Sequence, residues 1–421
     1  MSAAGGIARR EAGLPGVLGD ASGAIADLGV LVPLAAALIL VNGLDPGAVF
    51  VGAGLLAIGA GAWFRVPFPV QPLKALTAVA VARELSPDVI HAAGVELAGF
   101  LLLLSIGHVA DAVARVFVKP VVRALQLGVG GLLVIASMRL VLDPPAVFVG
   151  TPGSPWPVVL AALAFVGVAL AAQGKHYAAA LLLFGAGLVA TVAATSPDLS
   201  APAFRLPDID LPAWSAFGSA FVLLVIPQLP LTFGNAVVAV NDLSHEYFGA
   251  AARRVSPSRV CLSAGIGNAG SALIGGMPMC HGAGGLTAHV RLGARSARMN
   301  LLLGSAFLAL GLFFAAQVPV MLGLLPVWVL AAFLAYAGLR HAWLVADLRG
   351  GPLLIAVAAG ALGAWLGNLA FTAALALVLE HARRRTHRRA PASDGTLASH
   401  GRDGSPRGPG RGDRAGRANH R

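Results

Sequence analysis

Charge is what this sequence has least of. Only 12% of its 421 residues are Asp, Glu, Lys or Arg, against about 25% in an average soluble domain. With 57% hydrophobic residues and a mean hydropathy of +0.79, the chain cannot hide its surface in one water-soluble core, and a bilayer must be its solvent. Long alternating apolar and polar runs are also missing, which excludes a membrane barrel and leaves helices. There are two cysteines, Cys261 and Cys280, both in apolar context; a disulfide framework and a thiol metal site are excluded. No spacing of metal ligands and no nucleophile motif occurs, so neither a metal nor a cofactor is expected. An intramembrane enzyme using Asp27, His281 and Cys280 is the competing class, and it lacks such a motif. Arg9 and Arg10 run into Glu11 rather than an apolar stretch, so no cleavable signal peptide is expected.

The net charge of +11 is mostly a tail: from His381 to Arg421 there are eleven Arg and three Asp, a net of +8. That stretch is rich in Gly, Pro and Ser and reads as disordered. A positive end beside anionic lipid explains it better than nucleic-acid binding. Residues 1–13 form an N-terminal segment, 14–381 the membrane domain and 382–421 the basic tail.

Apolar runs give about fourteen helical spans, near 23–41, 47–64, 72–84, 92–110, 120–139, 156–173, 176–195, 213–240, 259–275, 282–291, 299–317, 325–345, 352–364 and 366–381. With the N-terminus in the cytoplasm, the even-numbered connections carry Arg65, Arg115, Lys119, Arg123, Lys175, Arg253, Arg254, Arg291, Arg295, Arg298 and Arg349. The opposite side carries mainly aspartates: Asp45, Asp88, Asp143, Asp198, Asp208 and Asp210. This asymmetry predicts an even number of spans with both termini cytoplasmic, in a cell (inner) membrane.

Two stretches break the pattern: Val66-Pro67-Phe68-Pro69-Val70-Gln71-Pro72-Leu73-Lys74, and Gly275 to Gly285 through Met277-Pro278-Met279-Cys280-His281. Each predicts a short strand feeding a half-helix whose N-terminus lies at membrane depth, starting near Pro72 and His281. They fall in the third and tenth spans, with Gln71 and His281 210 residues apart. Interruptions in the first span (Asp27-Leu28-Gly29 to Pro33) and the eighth (Pro227-Gln228-Leu229-Pro230-Leu231-Thr232-Phe233-Gly234-Asn235) match as well. An offset of seven spans inverts one half on the other. The fold class predicted is an all-α polytopic protein in a 7+7 inverted repeat, with its site at the repeat interface.

Two facing half-helix N-termini offer unpaired N–H groups and positive dipole ends, which suit an anion. Gly282, Gly284 and Gly285 let an oxyanion approach the backbone, or else let helices pack closely. Lys74, one of three lysines, either adds charge to that site or snorkels to the rim. His281 either couples proton movement or donates to a backbone carbonyl. Cys280 is a contact to the anion or a small buried residue. Pro72 opens the first half-helix. Gln71, Gln228, Thr232 and Asn235 are neutral hydrogen-bonders for a tetrahedral oxyanion or between helices. Asp27 is the second coupling candidate and a partner for Lys74, while Asp20 and Glu96 are weaker candidates.

At these motifs the chain resembles the molybdate transporter family, which is related to the sulfate permeases. The resemblance runs from about residue 14 to 380, and Gly276-Met277-Pro278-Met279-Cys280-His281-Gly282-Ala283-Gly284-Gly285-Leu286 is its most specific part. Val30 stands where the family often has Thr, and His289-Val290-Arg291-Leu292 departs from its usual Gln-Tyr-Arg-Phe. The resemblance implies fourteen spans divided into a core (spans 1–4 and 8–11) and a gate (spans 5–7 and 12–14), with no soluble C-terminal regulatory domain. It implies secondary active import of molybdate. Sulfate or another anion as substrate, and a passive anion channel, are the alternatives. The expected partners are the oxyanion, protons as coupling ion, the lipid bilayer and a second copy in a homodimer; nucleic acid is not expected.

Overall fold

The computed structural model describes residues 14–26, 28–115, 117–144, 156–173, 177–195, 201–209 and 211–389. Asp27 and the tail beyond residue 389 lie outside them.

Helices α1 (Leu14–Ile25) and α2 (Leu28–Leu40) precede α3 (Pro46–Phe64), strand β1 (Gln71–Pro72), α4 (Lys74–Ala82), α5 (Pro87–Ser105), α6 (Val109–Ala114) and α7 (Lys119–Leu142). Then come α8 (Trp156–Gln173), α9 (Tyr177–Thr195), α10 (Ala216–Ala220), α11 (Ile226–Leu231), α12 (Val240–Phe248) and α13 (Pro257–Leu273). Strand β2 (Met279–Cys280), α14 (Ala283–Arg291), α15 (Arg298–Phe313), α16 (Val318–Gly323), α17 (Val327–Ala342), α18 (Gly350–Leu366) and α19 (Leu369–Arg389) complete the order. Proline sits in the first turn of α3, α5, α7 and α13, where its missing N–H costs no helical bond. Asp45 caps α3 by accepting from Ala48 N–H at 2.8 Å, and Ser256 caps α13 in the same way.

Helices occupy the expected segments, with differences that have local causes. Among the described residues five helical stretches are long and apolar enough to cross a bilayer, and a sixth if α15 and the residues to Gly323, bent by 93°, count as one. Helix length alone therefore supports five or six crossings, not fourteen. The eighth span is not interrupted. Pro227 and Pro230 lie in α11, and π-helical turns at Phe221–Val225 and Thr232–Ala239 flank it; a proline removes a helical donor, and π-turns are a known way a helix absorbs such a fault. The tail boundary expected at 382 falls inside α19. Glu380 pairs there with Arg383 and Arg384 at 2.8 Å, three and four residues on, which sustains the helix.

The helices pack in two groups. In one, α3 lies on α15 and α13, and α5 on α13; in the other, α7 lies on α17, α18 and α19, and α17 on α8. Outward-facing Leu163, Leu182, Val189 and Leu354 are more than half exposed, a surface that suits lipid and not water. One charged junction ties the second group to α12. The buried Arg123 of α7 donates to Asp347 (3.1 and 2.7 Å), to Glu246 (2.8 Å) and Asp242 (3.1 Å) of α12, and to Gln126 (2.8 Å).

Against α13 of the first group, β1 and β2 cross antiparallel, with Gln71 opposite Cys280 and Pro72 opposite Met279. Extended backbone at membrane depth must find every hydrogen bond within the protein. Two buried asparagines supply them. Asn300 of α15 accepts from Phe68 N–H (2.8 Å) and donates to its carbonyl (2.6 Å) and to that of Ala57 (3.2 Å). Asn268 of α13 accepts from Met279 N–H (2.7 Å) and donates to its carbonyl (2.8 Å). Each carboxamide thus acts as a neighbouring strand would, one on each crossing segment. Replacing either by Leu strands a buried N–H and a buried C=O, at about 1–3 kcal/mol for each group. Asn268→Leu and Asn300→Leu are expected to lower the unfolding temperature in detergent markedly, whereas the exposed Leu163→Ala is not. Equal unfolding temperatures for all three would remove the asparagines from the account.

Candidate functional site

The half-helices begin two residues later than the sequence predicted, at Lys74 behind the N-cap Leu73 and at Ala283 behind the N-cap Gly282. Pro72 and His281 are used before them, in and just after the strands. With about 1.5 Å per residue, the nine residues of α4 or of α14 reach only part-way across a bilayer.

The pairing of β1 with β2 sets the two starts side by side. Lys74 is half-buried and donates to Gln71 Oε1 at 2.7 Å. A Cβ added to Gly282 would collide with that same Oε1 and lie 3.3 Å from Lys74 Nζ. The ammonium thus stands at the N-cap of the opposing half-helix, so the alternative of a lysine snorkelling to the membrane rim is set aside. The geometry of α14 leaves the amides of Ala283, Gly284 and Gly285 without intrahelical acceptors, and Gly282 has no side chain to cap them. Two helix dipoles and one ammonium converge, and only glycine at 282 admits the Gln71–Lys74 pair.

The other expected residues divide. Gln228 belongs to the site's frame: its Oε1 accepts from Leu76 N–H in the first turn of α4 at 2.9 Å, and its Nε2 donates to Thr232 at 2.9 Å. It caps α4 from a different helix, and the π-turn that follows carries Thr232 to the same region. Asn235 is buried, and its Oδ1 has no hydrogen-bond partner among the described residues. Cys280 is buried opposite Gln71. Gly284 faces Val129 and Leu133 of α7, so its missing side chain serves helix approach. The imidazole of His281 is fully buried. Its Nδ1 donates to the Pro69 carbonyl (2.8 Å), its Nε2 meets Ser263 Oγ (3.0 Å), and it lies edge-on to Phe64 and Phe68. A carbonyl only accepts, so the ring proton sits on Nδ1; the ring ties one crossing segment to the other. Asp20 accepts from Arg295 N–H, Ser296 N–H and Oγ, and Arg298 Nε, and so anchors the start of α15.

Some residues were not anticipated. Thr287 of α14 meets His341 Nδ1 of α17 at 2.7 Å and Tyr247 OH of α12 at 3.2 Å. His341 Nε2 is buried with no partner among the described residues. Asn268 and Asn300 were also missed. A polar side chain inside an apolar span was the available signal for all of these.

A family model described as "Molybdate transporter of MFS superfamily" matches residues 19–133 and 220–340. Molybdate transporter 2 of Arabidopsis thaliana is 30% identical over 373 residues, covering 78% of this chain and 79% of that protein. Molybdate transporter 1 of Chlamydomonas reinhardtii is 28% identical over 441 residues, covering 78% and 84%. Among solved structures, the transmembrane domain of a cyanobacterium bicarbonate transporter, BicA, superposes with a TM-score of 0.57 at 16% identity, over 86% of this chain and 96% of that one. The murine anion transporter Slc26a9 in its inward-facing state gives 0.55 at 14% identity, over 89% and 68%. These two likenesses establish the fold.

The frame makes one local prediction. Gln228→Leu removes the acceptor of Leu76 N–H, so hydrogen exchange at the first turn of α4 should accelerate at least tenfold while α13 is unaffected; about 1.4 kcal/mol of lost protection is that factor. Unchanged exchange there would show that Gln228 does not cap α4.

Proposed function

Given that the chain belongs to the molybdate transporter family, we propose that it carries a tetrahedral oxyanion, molybdate first, bound between the starts of α4 and α14. It is a membrane transport protein and not an enzyme. The observation that carries the substrate reading is the approach of Lys74 Nζ and Gln71 to Gly282. An ammonium and the first-turn amides of two helices suit the oxygens of a dianion from two sides. No fixed carboxylate is needed, and Asp20, one of the expected carboxylates, is occupied at the start of α15. Gln71, Thr232, Asn235 and Cys280 complete the proposed lining, with Gly282 and Gly285 admitting the anion to the backbone.

The two packing groups support a carrier in which a core moves against a gate within a fourteen-segment inverted repeat. Secondary active coupling, with protons as the driving ion, both termini cytoplasmic and a homodimeric state, belongs to the same proposal. Asp27 remains its coupling carboxylate. His281, with both ring nitrogens engaged, serves the frame. Size separates molybdate from sulfate, since charge and shape are alike; a cavity set by fixed helices discriminates by where the oxygens fall.

The test is uptake of labelled molybdate into liposomes containing the purified protein, with and without an imposed pH gradient, competed with sulfate and tungstate. Saturable, gradient-dependent uptake, inhibited by tungstate more than by sulfate, is expected. Lys74→Gln removes one charge-assisted bond, worth about 1.5–3 kcal/mol, and should weaken molybdate binding about ten- to hundredfold. Flux that never saturates would make the protein a channel, and a folded Lys74→Gln protein with unchanged affinity would move the anion elsewhere.

A further inference from the structure

Beyond the transport site, the end of α19 carries a second feature. Its apolar stretch from Leu369 turns abruptly basic at Glu380-His381-Ala382-Arg383-Arg384-Arg385. At that turn α19 and the start of α7 enclose a groove of about 580 Å³. Val118 before α7, Val121 of α7, and Leu377 and Val378 of α19 form one part of its lining, and Arg384 and Arg385 another. The one carboxylate there, Glu380, is already neutralised: Arg383 donates to both its oxygens and Arg384 to one, all at 2.8 Å. Arg385 has no carboxylate partner among the described residues, so the groove keeps positive charge in excess.

We propose that this groove binds the headgroup of an anionic phospholipid, with the arginines on the phosphate and the acyl chains along Val118, Leu377 and Val378. The chemistry matches at both ends. An apolar wall that continues into outward-facing helix surface (Val378 is 66% exposed) suits a chain, and a guanidinium pair suits a phosphate by bidentate bonding. Each basic residue at a membrane surface adds about 1 kcal/mol toward anionic lipid. Charge selects the occupant. The sequence beyond residue 389 carries six Arg against three Asp, so this chain's own tail is repelled, and a second copy would bring the same basic helix. A free phosphate would leave the apolar wall unused.

The experiment is native mass spectrometry of the full-length protein released from detergent containing equal phosphatidylglycerol and phosphatidylcholine, with and without inorganic phosphate. Wild type should retain phosphatidylglycerol in preference. Arg385→Gln should reduce that preference about fivefold and Arg384→Gln/Arg385→Gln about twenty- to thirtyfold, while Arg385→Lys keeps most of it. Because Arg384 also braces Glu380, the single Arg385 variants guard against a folding effect, and circular dichroism of each protein checks the helix. Equal retention of both lipids, no loss in Arg385→Gln, or displacement of the lipid by millimolar phosphate would each overturn the proposal.

Discussion

Extended backbone inside an apolar medium must be fully hydrogen-bonded, and the rest of this structure is arranged around that demand. The crossing of β1 and β2 satisfies part of it by mutual pairing. Leu73 N–H donates to the Pro278 carbonyl, and His281 donates to the Pro69 carbonyl. Asn268 and Asn300 bracket Met279 and Phe68. Unsatisfied groups at this depth cost several kcal/mol each, so the crossing exists only because helices on both sides contribute to it. The same pairing fixes the half-helices start to start. In the proposed account, the anion site is a by-product of satisfying the backbone: the strands end, the helices begin, and their unpaired N–H groups face each other.

What surrounds the crossing has a different character. The first packing group grips it through amide side chains, whereas the link of the second group to α12 runs through charge. Arg123 gathers Asp242, Glu246 and Asp347, and Lys119 joins Asp347 at 2.8 Å. The three carboxylates are each partly open to solvent while the guanidinium is buried. Such pairs reform readily when a partner moves, because water reaches the carboxylate side. A second contact, Tyr247–Thr287–His341, is neutral and buried. A rigid crossing within one group and exchangeable polar contacts between the second group and α12 are the mechanical properties that the proposed carrier needs.

The sequence made the broken segments legible, and for a physical reason. Prolines at 67, 69, 72 and 278 and glycines at 275, 276 and 282 forbid a continuous helix, whatever packs around them. The helix starts moved by two residues because Gln71-Pro72 and Met279-Cys280 are claimed by pairing first, which no local rule reports. Gln228 and Lys74 were legible as polar residues in apolar runs, but their partners, Leu76 and Gln71, depend on how the helices meet. The role of His281 turned on Pro69, 212 residues away. The eighth span was misread as broken because two prolines normally end a helix; a π-turn absorbs them here. Gly284 shows a limit of another kind: a glycine that admits an anion and one that admits a helix look alike until the facing leucine is placed.

The central claim is the position of the anion. Molybdenum scatters X-rays anomalously and sulfur far less at the same wavelength, so a crystal of the full chain grown with molybdate, measured on both sides of the molybdenum edge, locates the ion directly. The account predicts a single strong peak between the starts of α4 and α14, within hydrogen-bonding distance of the Lys74 ammonium and of first-turn amides of α14. A peak elsewhere in the helices, with the Lys74–Gln71 pair undisturbed and no density at Gly282, would contradict it.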